Sequence, residues 1–260
     1  MDLGIRGRRA LVTGGSRGIG FATALALSTE GVECTICARS EEPLRVAAGR
    51  ITDATGGTVH TLVADLSHPD SARKAVTAAA ELMGGLDILV NNAARVSGGV
   101  PEGFADVTDE RMLIDFEEKV LGYVAAVQTA APLMAEGGWG RVVSMAGLSA
   151  RIGGNISAGV RNGAVSIFTK SAADALGPSG ITVNVIHPGL TRTERMEEIL
   201  GLADGDTTIA DSISATIPTR RLVRPEEIAN MVTFLASDLA GSITGESIAI
   251  AGGLGDGIVY

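Results

Sequence analysis

Short apolar runs of strand length alternate along the chain with longer stretches whose apolar residues recur at helical spacing. The runs Arg9–Val12, Glu33–Ala38, Thr58–Ala64, Leu86–Val90, Arg141–Ser144, Ile181–Ile186 and Ser247–Ala251 predict strands. Between them, Ile19–Ser28, Glu41–Thr55, Pro69–Met83, Thr108–Met134, Ile156–Leu176 and Pro225–Ser237 predict helices, the last with a proline in its first turn. The strands are apolar on both faces rather than alternating. Such strands belong in a parallel sheet covered by helices on both sides. The pattern therefore predicts one doubly wound α/β domain over residues 1–260. The segment 191–216 is the one poorly patterned stretch, and reads either as a substrate lid or as an ordinary surface excursion.

Charge and composition narrow the partners. The 260 residues carry 21 basic and 30 acidic side chains, a formal charge of −9. That balance argues against nucleic acid or an anionic membrane as a partner. No apolar run reaches the roughly 18 residues that a bilayer span needs. The N-terminal residues lack the apolar stretch of a signal peptide, so the expected location is the cytoplasm. Cys34 and Cys37 form a nominal CxxC, but residues three apart on a strand point to opposite faces. Two buried thiols are expected there, and no metal site.

The first chemical motif is Thr13-Gly14-Gly15-Ser16-Arg17-Gly18-Ile19-Gly20, directly between the first strand and the first helix. Glycines let such a turn adopt left-handed dihedrals and bring backbone N–H groups up to a pyrophosphate. The helix N-terminus adds partial positive charge for the same anion. In this context the motif predicts dinucleotide binding. An acidic residue ending the second strand would favour NAD by binding its ribose 2′-hydroxyl. Here the chain reads Ala38-Arg39-Ser40, and Arg17 lies in the loop beside it. Two arginines and no carboxylate point to the 2′-phosphate of NADP(H).

With these residues in view, the chain resembles the short-chain dehydrogenase/reductase family from about residue 8 to residue 253. The resemblance rests on the glycine motif, on Asp65-Leu66, on Asn91-Asn92-Ala93-Ala94, on Asn184 with Pro188 and Gly189, on Thr193, and on the segment from Gly245-Glu246-Ser247 to Gly252-Gly253. It implies a Rossmann-type sheet of about seven strands and a homodimer or homotetramer. It also implies cofactor contacts from Asp65 and Leu66 at the adenine, from Asn91, Ala93, Pro188 and Gly189, and from Thr193 at the nicotinamide carboxamide.

The same resemblance exposes a departure. Family members reduce with a Ser, a Tyr and a Lys, helped by an Asn. Those positions fall here on Gly147, Ala158, Asn162 and Lys119, respectively. The two tyrosines, Tyr123 and Tyr260, cannot supply a shifted motif. Cation and amide have exchanged places: Lys119 stands for the Asn, and Asn162 for the Lys that holds the nicotinamide ribose. Lys119 either returns an ammonium to that region, as an acid or electrostatic stabiliser, or extends to solvent. Arg95, Ser144, Ser149, Arg151, Ser157, Arg161 and His187 are further polar candidates, with Ser149 able to replace the missing hydroxyl after a two-residue slip. Three functions stay open. One is an atypical NADP(H)-dependent reductase of an activated C=C, C=N or C=O of a small molecule. The second is a redox-neutral enzyme such as an isomerase, dehydratase or cyclase. The third is a non-catalytic NADP(H)-binding protein.

Overall fold

The computed structural model describes residues 2–94, 103–201 and 208–255. Seven parallel strands are joined by crossovers in the order β3-β2-β1-β4-β5-β6-β7. They are β1 (Arg9–Thr13), β2 (Glu33–Ala38), β3 (Val59–Val63), β4 (Ile88–Asn91), β5 (Gly140–Met145), β6 (Ile181–Pro188) and β7 (Ser247–Ile250). Chain progression reverses between β1 and β4, which leaves a crevice at their carboxyl ends, the usual ligand position in such sheets.

Helices cover both faces. On one lie α1 (Gly18–Thr29), α2 (Glu41–Thr55) and a late helix, Pro225–Leu235; on the other lie α3 (Pro69–Met83), α5 (Gly122–Glu136) and α6 (Ile156–Leu176). Between α3 and α5 the chain forms α4 (Asp109–Phe116), and α7 (Glu194–Ile199) and α8 (Thr208–Thr216) precede the late helix, α9. Successive residues of each central strand feed opposite cores. Ala10 and Val12 pack with Leu27, Leu44 and Val232, whereas Leu11 packs with Val76, Leu89 and Ala130. Truncating a fully buried side chain such as Leu27 to alanine would cost about 2–5 kcal/mol. Cys34 and Cys37 enter different cores and are free thiols, both pushed up to about 12 by burial.

The expected helix over Thr108–Met134 forms as one continuous run, α4 into α5, but with a π turn inside it. Thr108 caps α4 by accepting from the Arg111 N–H, and a π turn at Glu117–Leu121 joins α4 to α5. The extra residue in that turn shifts the helical register and leaves Lys119 and Val120 buried. Such insertions concentrate at functional sites. In the segment 191–216, Thr191 pairs with Val223 and α7 and α8 form, while residues 202–207 lie outside the described residues.

Candidate active site

The glycine motif turns directly from β1 into α1. Gly14 and Gly18 adopt left-handed dihedrals (φ +68° and +57°), where a side chain is strained. A Cβ on Gly20 would fall 2.2 Å from the Gly14 carbonyl oxygen, so the turn closes only without one. Thr13 and Asn92 tie this loop to β4. The Thr13 hydroxyl accepts from the Asn92 and Ala93 N–H groups at 2.8 and 2.9 Å, and the Asn92 amide donates to the Thr13 carbonyl at 2.8 Å. Asn92 was not singled out from the sequence, although it sits inside the segment quoted for its neighbours.

Beside the loop runs a groove of about 530 Å³. Gly14, Ser16, Arg17, Gly18 and Ile19 line its loop end. Arg39 lines it past the end of β2, Asp65 and Leu66 beyond β3, Ala93 beyond β4 and Thr193 before α7. The remaining expected contacts stand back from the wall. Gly20 is packed under the loop, and the Asn91 amide donates to Ser144 Oγ at 3.3 Å. Gly189 lies against Ala251 just past Pro188, where β6 ends, and Asn162 belongs to a buried cluster described below. One groove contact was not legible from local sequence. Glu194, opening α7, accepts from the Gly18 N–H at 2.9 Å through Oε2. A carboxylate therefore already rests on an anion-binding N–H at the start of α1.

Across the crevice, α4, the π turn and α6 enclose a second polar cluster. Lys119 is buried, and its Nζ donates to the Ala146 carbonyl and to Asn162 Oδ1, both at 2.8 Å. The side chain does not extend to solvent. The other end of the amide, Asn162 Nδ2, donates to Ser149 Oγ at 2.9 Å. Behind Lys119, buried Asp115 accepts from Ser157 Oγ at 2.7 Å and pairs with Arg161 at 3.0 Å. Burial, reinforced by the Arg161 charge and opposed by Asp115, brings the Lys119 ammonium down to about 7. At neutral pH this lysine can therefore gain or lose a proton.

Two further candidates, His187 and Arg151, are bonded to the backbone around them. Fully buried His187 donates from Nδ1 to the Gly147 carbonyl at 2.8 Å, and its Nε2 faces Ser247 Oγ at 2.8 Å. The carbonyl only accepts, so the ring is the Nδ1–H tautomer. Burial holds its pKa below the ordinary value. Arg151 Nη2 donates to the Ser247 carbonyl, which ties this arginine to β7. Arg95 lies outside the described residues. Among the described residues no helix is long and apolar enough to cross a membrane.

A parallel sheet with a glycine loop at its switch point defines a dinucleotide-binding α/β protein. Comparison with known proteins makes this narrower. Residues 14–255 match a family described as enoyl-(acyl carrier protein) reductase. The chain is 34% identical over 255 residues to L-rhamnose 1-dehydrogenase (NAD(P)(+)) of Azotobacter vinelandii, covering 95% of this chain and 96% of that one. It is 33% identical to the 3-oxoacyl-(acyl-carrier-protein) reductase of Aquifex aeolicus, over 98% of this chain and all of that one (100%). Among solved structures, L-sorbose reductase of Gluconobacter frateurii, complexed with NADPH and L-sorbose, superposes with a TM-score of 0.90 at 30% identity, over 99% of this chain and 100% of that one. The NADPH-dependent reductase YwfH, involved in bacilysin biosynthesis, gives 0.88 at 29% identity, over 97% and 100%. The chain belongs to the short-chain dehydrogenase/reductase family of oxidoreductases.

Proposed function

We propose that this chain is an atypical NADP(H)-dependent reductase of the family, acting on an activated C=C, C=N or C=O of a small molecule without the usual tyrosine acid. NADPH-dependent relatives support the cofactor, and the residues fit it. The Gly18 N–H already accommodates an oxyanion from Glu194, as a pyrophosphate oxygen would require. Arg17 and Arg39 would hold the 2′-phosphate, Asp65 and Leu66 the adenosine end, and Ala93 and Thr193 the nicotinamide end. Bound there, the cofactor supplies hydride.

The observation that carries the reading is Lys119. A buried lysine is costly, and it persists only where something holds it. Here two acceptors at 2.8 Å hold it at the wall where the family's helper amide belongs. A decayed pocket has no reason to retain a satisfied buried cation opposite the exchanged amide. The 191–216 segment serves as a lid, since α7 already reaches the glycine loop. Leu113, Ile114, Val160 and Ile167 leave an exposed apolar face on α4 and α6, and we assign it to a homodimer or homotetramer interface.

The deciding experiment is a fluorescence titration with NADPH and with NADH, followed by NADPH consumption with enones, imines and ketones. Tighter NADPH binding and consumption with one class are expected. Turnover with unchanged NADPH would replace this reading by a redox-neutral enzyme. Failure to bind either nucleotide would end it.

A further inference from the structure

Resting on the reductase reading, we infer that Ser149 is the residue that meets the substrate. Its hydroxyl donates a hydrogen bond to the carbonyl oxygen of a conjugated alkene from the end of the chain Lys119–Asn162–Ser149.

The direction of that chain is fixed by its members. A protonated lysine has donors only, so Asn162 must present Oδ1 to it. The amide then turns Nδ2 toward Ser149, 2.9 Å away. Ser149 Oγ is an acceptor in that bond, and its own proton makes no other hydrogen bond among the described residues. Each bond polarises the next in the same sense, toward a stronger donor at the serine. Exposure runs the same way. Lys119 is 6% exposed and Asn162 4%, whereas Ser149 is part-exposed. Of the three, the serine is the one that is not buried.

Gly147 belongs to the device. Its φ of 176° is ordinary extended backbone, so no conformational need explains a glycine. Space does: a Cβ there would fall 2.6 Å from Asn162 Nδ2. A serine at this position would push the amide away from Ser149. The missing family serine and the new amide are thus one change. The loop is also fixed on both sides, with Lys119 holding the Ala146 carbonyl and His187 the Gly147 carbonyl.

The hydroxyl selects the chemistry. A serine hydroxyl is a far weaker acid than a tyrosine phenol, whose pKa is about 10. It can hold an oxyanion, but it surrenders its proton poorly. Reduction of a simple ketone leaves a localised alkoxide that must be protonated. Reduction of a conjugated alkene does not. The substrate's β-carbon takes the hydride supplied by the bound nicotinamide, and the C=C electron pair moves to give an enolate. Its oxygen accepts the Ser149 hydrogen bond while the Ser149 O–H bond stays intact. The α-carbon then takes a proton from water, which leaves the saturated carbonyl compound, hydroxide and the oxidised cofactor.

The test uses full-length protein, with 2-cyclohexen-1-one and cyclohexanone as probes and 4-nitrophenolate as an enolate-oxygen mimic. Ser149→Ala should slow NADPH-dependent reduction of the enone about 10²- to 10³-fold, the usual loss of one oxyanion donor, with NADPH affinity unchanged. Ser149→Thr should retain most of the rate. Gly147→Ser should lower the rate although it restores the family's residue. The 4-nitrophenolate should bind the NADP⁺-saturated wild type and bind roughly tenfold more weakly to Ser149→Ala. Enone turnover unaffected by Ser149→Ala, faster reduction of cyclohexanone than of the enone, or a rate gain in Gly147→Ser would overturn the assignment. So would 4-nitrophenolate binding that is absent or insensitive to Ser149→Ala, a result that needs no turnover. Absence of NADPH binding to the wild type, by contrast, sinks the reductase reading itself.

Discussion

At the glycine loop, charge recognition is open: backbone N–H groups line a groove, and the Arg17 side chain is 58% exposed. Across the crevice it is enclosed, with Lys119, Asp115 and Arg161 all buried and bonded to one another's neighbours. The open region keeps the family's residue types, because a pyrophosphate and a 2′-phosphate demand the same donors whatever the substrate. The enclosed region has changed at all four reacting positions under the alignment that the family resemblance implies. If the proposed function holds, binding and chemistry are separable, and substitutions on the two sides should fail in different measurements.

The sharpest separation comes from Lys119→Met. We expect kcat for the reduced substrate to fall about 10²- to 10³-fold, with the NADPH dissociation constant within about twofold of wild type. On the proposed reading Lys119 acts through Asn162, to which it donates at 2.8 Å, so a pH profile distinguishes this role from plain packing. The wild-type rate should decline as pH rises past the Lys119 value of about 7. Lys119→Arg, which stays charged, should lose that decline. The groups facing Lys119 are Asp115 on α4, Arg161 and Asn162 on α6, Tyr123 on α5 with its ring centroid 5.9 Å from Nζ, and His187 on β6. His187 is held below its ordinary value, so it titrates on the acid side and leaves the descending limb to Lys119. Equal losses in kcat and NADPH affinity would erase the separation.

The same residue should be a thermodynamic burden. Its pKa is about 7 in the folded protein and 10.5 ordinarily. Between those values the unfolded chain binds more protons, so this group makes stability rise with pH. Below pH 7 the cost of the buried charge is paid in full. Lys119→Met removes that cost but orphans Asn162 Oδ1 and the Ala146 carbonyl, about 1–3 kcal/mol at any pH. The stability difference between variant and wild type should therefore move toward the variant by a few kcal/mol between about pH 9 and about pH 6. Urea melts at the two pH values measure it. A pH-independent difference would show that Lys119 keeps its proton inside the fold across this range, with no lowering of its pKa.

These two regions also differed in how far they could be read beforehand. The alternation of apolar runs was enough for the parallel sheet, because each strand's burial is written in its own five or six residues. The glycine loop was legible for the same reason. What the linear pattern lacked was contact between distant helices. Lys119 and Asn162 are 43 residues apart and were paired only through the family resemblance. Nothing local marked Asp115 and Arg161 as a buried pair. Helical periodicity ran smoothly through Glu117–Leu121, so the π turn that buries Lys119 was read as ordinary helix. Asn91 reaches Ser144 while the neighbouring Asn92 secures the loop, since adjacent residues at a strand end point opposite ways, and this division of work is not written in the local sequence.

On the open side, replacing both Arg17 and Arg39 with alanine should weaken NADPH about 10- to 100-fold, the worth of one charge-assisted pair. NADH affinity should barely move, because it carries no 2′-phosphate. Isothermal titration with both nucleotides is the measurement. A parallel loss for NADH would mean the arginines act as general charge rather than as phosphate ligands.

The smallest expected effect concerns Glu194, where the open region carries an anion of its own. Its carboxylate takes the Gly18 N–H at 2.9 Å, and α7 also brings Glu198 to 3.9 Å from Arg17. A pyrophosphate needs the same N–H, so nucleotide binding must release Glu194 first. An anion at a helix N-terminus is worth about 0.3–1 kcal/mol at an exposed site. Removing the competing charge should thus tighten NADPH about two- to fivefold. Glu194→Gln is the right change, since it keeps the side chain's size while discarding the charge. The gain should appear for NADH as well, because both cofactors share the pyrophosphate, and it should shrink in high salt. If Glu194→Gln instead weakens both nucleotides, α7 closes over bound cofactor through this carboxylate, and its contact with the loop supports the bound state rather than opposing it.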